Sequence, residues 1–196
     1  GADRDLNLSF SSWRLHLRWW IENRLWLNAF EMGPRELANY HRVLQRFRPS
    51  VLVAYAGAAR ALAAHLDERR ERSRYPSRAV ITSAEVLSDE ARRMIERVFR
   101  VSVYDRYGDR EFGAIAAECS AHSGLHVNES DVWLEVESHA PFSEPGNIII
   151  TYLHNRRMPF IRYDTGDMAI LAPQSPCSCG RTTSRILKIA GRQSDM

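Results

Sequence analysis

Lysine is almost absent from this 196-residue sequence: Lys188 is the only one, so nearly all of the 27 Lys+Arg positions are arginine. Such a preference follows from genome composition or from phosphate recognition. The net charge of +3 is spread along the chain rather than gathered in a block. A dispersed excess argues against a nucleic-acid partner, which favours a clustered basic face with interleaved aromatics. Long apolar runs are also missing: no stretch approaches the ~20 residues of a membrane span. The N-terminus carries no basic segment followed by an apolar stretch and a small-residue cleavage site. The expectation is a cytoplasmic protein without a membrane partner. Cysteine is scarce, with three in total, and Cys177 and Cys179 lie one residue apart. An intrachain disulfide between those two would be strained, which leaves reduced thiols or a metal site. No internal repeat and no low-complexity tract is visible.

What is present is a globular composition, 44% hydrophobic and 26% charged, large enough to bury a core. Residues 1–32 are rich in tryptophan (Trp13, Trp19, Trp20, Trp26), with leucines between them. A helix there would be apolar most of the way round and would need covering, so self-association into a homo-oligomer is expected. From Gly33-Pro34 the pattern is regular. Leu37, Tyr40, Val43, Leu44 and Phe47 recur at helical spacing after a first-turn proline, and Pro49 ends the run. Val51–Tyr55 reads as a short buried strand, Gly57 opens a second helix, Ala79–Thr82 is a strand, and Ser88 caps a helix running to Phe99. Val101–Tyr104 follows as a third strand. Alternation of this kind predicts a parallel sheet with flanking helices.

After residue 113 come short β-like runs at Ile115–Ala117, Leu125–Val127, Val132–Val136, Ile148–Tyr152 and Phe160–Tyr163, separated by turn signals such as Thr165-Gly166. The fold class is therefore α/β, a parallel sheet followed by a smaller, largely antiparallel β region. Three parts are expected: a Trp-rich helical segment (1–32), an α/β subdomain (33–112) and a β-rich region (113–196).

Ligands of open α/β sheets gather at the carboxyl ends of the strands. One such end is followed by Thr82-Ser83-Ala84-Glu85, another by Asp105-Arg106-Tyr107-Gly108-Asp109-Arg110-Glu111. The second stretch offers an aromatic plane, a glycine where backbone can approach a ligand and an acid for a hard cation. A turn with solvated charges would have the same sequence. Asp167, after Thr165-Gly166, suits the two hydroxyls of a ribose, or a hairpin turn.

These pieces occur in an order: Ser-Ala-Glu, then Tyr-x-x-Tyr-Gly-x-x-Glu-Phe-Gly, Arg-Tyr-x-Thr-Gly-Asp, Cys-x-Cys-Gly-Arg and Gly-Arg-x-x-Asp. The ordered set resembles the adenylate-forming superfamily of acyl-CoA synthetases, luciferases and peptide-synthetase adenylation domains. The nearest likeness is its phenylacetate–coenzyme A ligase and capsule-biosynthesis branch, over nearly the whole chain. The resemblance implies part of the large N-terminal domain of such an enzyme. It implies ATP, AMP, Mg²⁺, coenzyme A and a small carboxylic acid as cofactors and substrates. Ser83, Ala84 and Glu85 would wall the adenine and acyl pockets, Asp105 and Tyr107 would contact and stack on adenine, and Gly108 belongs to the same motif. Glu111 would hold the magnesium on the ATP phosphates, Asp167 the ribose, and Arg192 would reach ribose or phosphate near the interdomain hinge.

Three departures stand out. Arg110 replaces a small hydroxyl residue before the magnesium glutamate, and Ser194 stands where the hinge carboxylate usually falls, with Asp195 one position later. The third is that neither the Ser/Thr/Gly-rich phosphate loop nor the small domain with the catalytic lysine is found, Lys188 lying before the hinge motif. The expectation is a fragment that is inactive alone. Cys119, His126, Cys177 and Cys179 fit a closed structural zinc site of a kind familiar in this branch, His126 being preferred over His122; three plain reduced cysteines are the other reading. A non-catalytic nucleotide- or zinc-binding module is the alternative to the enzyme reading, and a tryptophan-rich interaction surface is the third.

Overall fold

The computed structural model describes residues 13–193. Residues 1–12 of the Trp-rich segment, and Ser194 and Asp195 of the hinge motif, lie outside them. Helix α1 (Trp13–Ile21) precedes α2 (Pro34–Phe47), β1 (Val51–Tyr55), α3 (Ala56–Glu68), β2 (Ala79–Ser83), α4 (Asp89–Phe99) and β3 (Ser102–Asp109). Strands β1, β2 and β3 are parallel. The helices form where the sequence spaced apolar residues for one face. Leu37 and Leu44 of α2, Leu62 and Leu66 of α3, and Ile95 and Phe99 of α4 close on Val80 and Val103 of the sheet. Helix α4 starts where Ser88 Oγ accepts the Ala91 N–H at 3.2 Å, satisfying one of the donors that a helix start leaves open.

Two expectations are corrected in this half. Strand β1 is not buried: Val51, Val53 and Tyr55 are exposed, and only the alternate residues Leu52 and Ala54 pack against the core. It is the edge strand of the sheet, and successive side chains of a strand point to opposite faces. Strand β3 does not stop at Tyr104 but runs on to Asp109, so Asp105, Tyr107 and Gly108 are strand residues rather than loop residues.

The sheet then changes sense. Strands β4 (Gly113–Glu118), β5 (Leu125–Val127), β6 (Val132–Glu137), β7 (Gly146–Tyr152), β8 (Tyr163–Leu171) and β9 (Arg185–Arg192) are antiparallel. All nine form one sheet in the order β1-β2-β3-β4-β5-β9-β8-β7-β6. The α/β class, parallel strands first and antiparallel strands after, is as the sequence implied. A second core of Phe112, Ile115, Leu125, Val127, Val132, Ile148, Ile150 and Ile186 fills this half. The strand expected at Phe160–Tyr163 starts at Tyr163 instead, and Thr165-Gly166 is not a separating turn but part of β8. There Gly166 takes φ +72°, and the pairing with β7 slips between Asn147 and Ile149. Strand β9 was not foreseen. Its pairing with β8 shifts twice, which breaks the alternation that would have marked it.

Helix α1 leaves Leu17, Trp20 and Ile21 exposed, and Leu25, Trp26 and Phe30 beyond it are exposed too, Trp20 at 79%. No helix among the described residues is long and apolar enough to cross a membrane.

Candidate functional site

Asp167 follows Gly166 within β8, next to the slip in pairing with β7, and its carboxylate meets a side chain of β3. Tyr107 Oη donates to Asp167 Oδ2 at 2.9 Å. Arg192, opposite Asp167 in the β8–β9 register, brings its Nε to 3.3 Å from Asp167 Oδ1. Three of the expected nucleotide-contacting residues thus meet, although 60 residues separate Tyr107 from Asp167. Burial pushes the Tyr107 phenol above its usual range, and Asp167 beside it adds to the shift. The phenol therefore stays a donor at neutral pH. Each Asp167 oxygen holds one contact, and a carboxylate has roughly four acceptor sites, so hydroxyl donors can still be taken.

The other expected residues are placed elsewhere. Asp105 Oδ1 accepts the hydroxyl of the buried Thr82 at 2.7 Å; burial raises its carboxyl above the ordinary aspartate value. Ser83 ends β2, with its Oγ 3.5 Å from Arg106 Nη2. Ala84 is left-handed at φ +67°. Glu85 accepts the N–H of Gly57 in the first turn of α3 at 2.5 Å, a favourable place for a carboxylate. Glu111 lies exposed in the tight turn between β3 and β4. The sequence offers Gly108 as a place where a ligand can approach backbone, but in the fold the neighbouring strand takes the space beside its Cα. A Cβ there would stand 2.0 Å from the Gly113 carbonyl oxygen of β4.

The second cluster is sulfur-rich. Cys119, His126, Cys177 and Cys179 bring their ligand atoms within 4.8 Å of one another. Cys119 Sγ is 3.7 Å from Cys177 Sγ, and Cys179 Sγ is 3.5 Å from His126 Nε2. With metal bonds of about 2.3 Å to sulfur and 2.0–2.1 Å to nitrogen, the edges of a zinc tetrahedron are about 3.8 Å (S–S) and 3.6 Å (S–N). His126 Nδ1 lies 2.9 Å from Thr183 Oγ1, which fixes the ring and leaves Nε2 toward the sulfurs. His122 is not part of the quartet. The backbone N–H of Cys179 and the Ser123 hydroxyl, 3.2 Å from Cys177 Sγ, hold the Cys177 thiol well below its usual range, whereas burial pushes Cys119 up. Thiolate is the form that binds metal.

A polar network that the sequence did not reveal is centred on Glu118, next to Cys119 in the chain. Glu118 Oε1 pairs with Arg92 Nη2 of α4 at 2.7 Å. Its Oε2 accepts the Asp105 N–H at 2.8 Å and lies 3.2 Å from His122 Nδ1. Only Glu118's position beside Cys119 hinted at it; Arg92 is 26 residues away in sequence.

No family model matches the chain. It is 25% identical to protein CapK of Staphylococcus aureus over 174 residues, covering 88% of this chain and 38% of that protein. It is 30% identical to phenylacetate–coenzyme A ligase of Thermus thermophilus over 166 residues, 79% of this chain and 36% of that enzyme. The chain is a partial-length relative of the phenylacetate–coenzyme A ligase branch of adenylate-forming enzymes. It spans under two fifths of the length of these curated relatives. Among solved structures, 2-hydroxyisobutyryl-CoA ligase with its acyl-adenylate and coenzyme A superposes with a TM-score of 0.73 at 23% identity, over 84% of this chain and 41% of that one. Anthranilate CoA ligase bound to anthranoyl-AMP gives 0.60 at 19% identity, over 84% and 33%. The fold is that of adenylate-forming enzymes.

Proposed function

We propose that this chain supplies the adenine- and ribose-binding part of an ATP-dependent ligase that activates a carboxylic acid as its adenylate and passes the acyl group to a thiol, coenzyme A. The convergence of Tyr107, Asp167 and Arg192 carries the reading. Asp167 accepts the ribose hydroxyls, and Arg192 stands beside it as the cation nearest to ribose or phosphate. The Tyr107 ring offers its face to the purine while its hydroxyl holds Asp167 in place. Ser83, Ala84 and Glu85 wall the pocket at the end of β2. In this reaction a substrate carboxylate oxygen attacks the α-phosphorus of ATP and pyrophosphate leaves. Glu111, exposed at the β3–β4 turn and close to Asp109, would be the carboxylate that holds Mg²⁺, which would supply charge neutralisation on the phosphates.

The quartet of Cys119, His126, Cys177 and Cys179 is proposed as a structural zinc site, because two of its edges have the length of those of a zinc tetrahedron, all four ligand atoms lie within 4.8 Å of one another, and four protein ligands leave no open position.

The test is carboxylate-dependent exchange of pyrophosphate into ATP by the longest natural form of the protein. Asp167→Asn should remove most of the exchange. Silence of the parent protein across a broad panel of aromatic and aliphatic acids, under conditions in which it is folded, overturns the proposal.

A further inference from the structure

The arginines that look dispersed in the sequence are not dispersed in the fold. At the amino ends of the parallel strands, opposite the pole that carries Tyr107, an open groove of about 830 Å³ is lined by Arg48, Arg70, Arg72, Arg74, Arg97 and Arg100. Two carboxylates share the lining, Asp67 and Glu71, and both are already engaged. Asp67 pairs with Arg97 at 2.7 Å, and Glu71 with Arg69 at 2.8 Å and His41 at 3.4 Å. The guanidinium groups of Arg48, Arg70, Arg72, Arg74 and Arg100 have no carboxylate partner among the described residues.

Three of these arginines have a local reason to be there. Arg48, Arg70 and Arg100 follow helix ends with φ of +51°, +54° and +59°, and a cation at a helix C-terminus is favoured by about 0.3–1 kcal/mol. That reason does not extend to Arg72 and Arg74, which belong to the connection between α3 and β2. Their segment is held in place: Gln45 Nε2 donates to the Arg72 carbonyl at 2.8 Å, and Gln45 Oε1 accepts the Arg74 N–H at 3.1 Å. One side chain of α2 therefore fixes the backbone that carries both arginines at the rim of the groove, and a segment already ordered costs less entropy on binding.

The lining also says what the occupant is not. It has no aromatic residue, so it lacks the stacking platforms of single-stranded nucleic-acid sites and the aromatic anchors of protein hot spots. What it has is forked donors, which match phosphate oxygens two at a time.

We propose that this groove is a second ligand site, which takes a small anion bearing two or more phosphate groups at the pole opposite the nucleotide residues. The site stands whether or not the ligase reading does, because none of its residues belongs to that constellation.

The test titrates the full chain with inorganic tripolyphosphate by calorimetry at low and moderate salt. The variants are Arg72→Glu with Arg74→Glu, and a control with Arg156→Glu and Arg157→Glu, two exposed arginines of the β7–β8 connection. Binding should weaken by about tenfold or more in the groove variant, as loss of charge-assisted contacts implies. It should change by less than about twofold in the control, where only remote charge is altered. Thermal melts of both variants should match the parent, since neither replaced groove side chain has a partner to lose. No measurable tripolyphosphate binding overturns the proposal. So does an equal loss in both variants, which would mean net charge alone. Competition by poly-glutamate or by a single-stranded RNA as effective as that by tripolyphosphate also overturns it, in favour of an acidic protein or a nucleic acid.

Discussion

Replacing Gly108 by alanine separates two meanings of a glycine beside a binding residue. If that glycine were kept so that a ligand could approach the backbone, the substitution would harm binding and leave stability alone. The structure predicts the reverse order of effects. The new Cβ would stand 2.0 Å from the Gly113 carbonyl oxygen, 3.1 Å from its carbon and 3.3 Å from the Ala114 Cα, all of them backbone atoms. No side-chain rotation relieves such a contact, so β3 and β4 must part by about an ångström where Gly108 faces Ala114 and Asp109 faces Gly113. Weakening about two ladder hydrogen bonds costs roughly 1 kcal/mol each. Disturbing the packing of the buried Phe112 in the same turn adds to this, for a total of roughly 2–4 kcal/mol, at or just above the roughly 1–3 kcal/mol typical of overpacking. For a chain of this length that is a fall in Tm of about 5–15 °C. Urea unfolding followed by circular dichroism measures it, with Gly166→Ala as comparison. Gly166 has φ +72° but nothing within 4 Å of a new Cβ, so only the left-handed backbone penalty of about 1–2 kcal/mol applies there. A Gly108→Ala protein within about 0.5 kcal/mol of the parent would refute the closed β3–β4 approach.

Three further outcomes are expected. Metal analysis of the purified protein should find one zinc per chain. Chelation, or Cys119→Ser or Cys177→Ser, should lower stability by about 4 kcal/mol, the constraint of closing a 58-residue loop; a metal-free protein indifferent to chelators would remove the site. Burial holds His41 below its usual value, with Glu71 opposing only in part. Its neutral form is therefore favoured by folding, and stability should decline as pH falls below the unfolded value of about 6.5 and level off below the folded one. The decline should be smaller in His41→Gln; equal pH profiles would refute the assignment. Ser88→Ala should cost about 1 kcal/mol by loss of the α4 cap, read as a shifted urea midpoint with an unchanged slope.

The helical half of the fold was legible because its signals are local. Pro34 at a helix start, Ser88 at a cap and apolar residues at 3.6-residue spacing each act within one or two turns. The antiparallel half was less so. Strands β8 and β9 change register against each other, and each shift resets the inside–outside alternation that a sequence pattern relies on. The site divides in the same way. Motif order named Tyr107, Asp167 and Arg192 and the cysteine quartet, sets that the fold brings together, but it could not say that Glu85 meets Gly57 or that Arg92 crosses to Glu118. Those contacts join residues far apart in sequence, through hydrogen bonds that leave no periodic trace.

The two borders of the nine-stranded sheet are chemically unlike. At one border β6 carries Glu135 and Glu137, and both are clamped by Arg162. At the other, Val51-Leu52-Val53-Ala54-Tyr55 runs without a charge or a proline. Charge and proline are what natural proteins use to keep a sheet border from accepting a foreign strand. The β1 border has neither of these devices and the β6 border has one of them, so the two edges of the same sheet differ in what stands against an incoming strand.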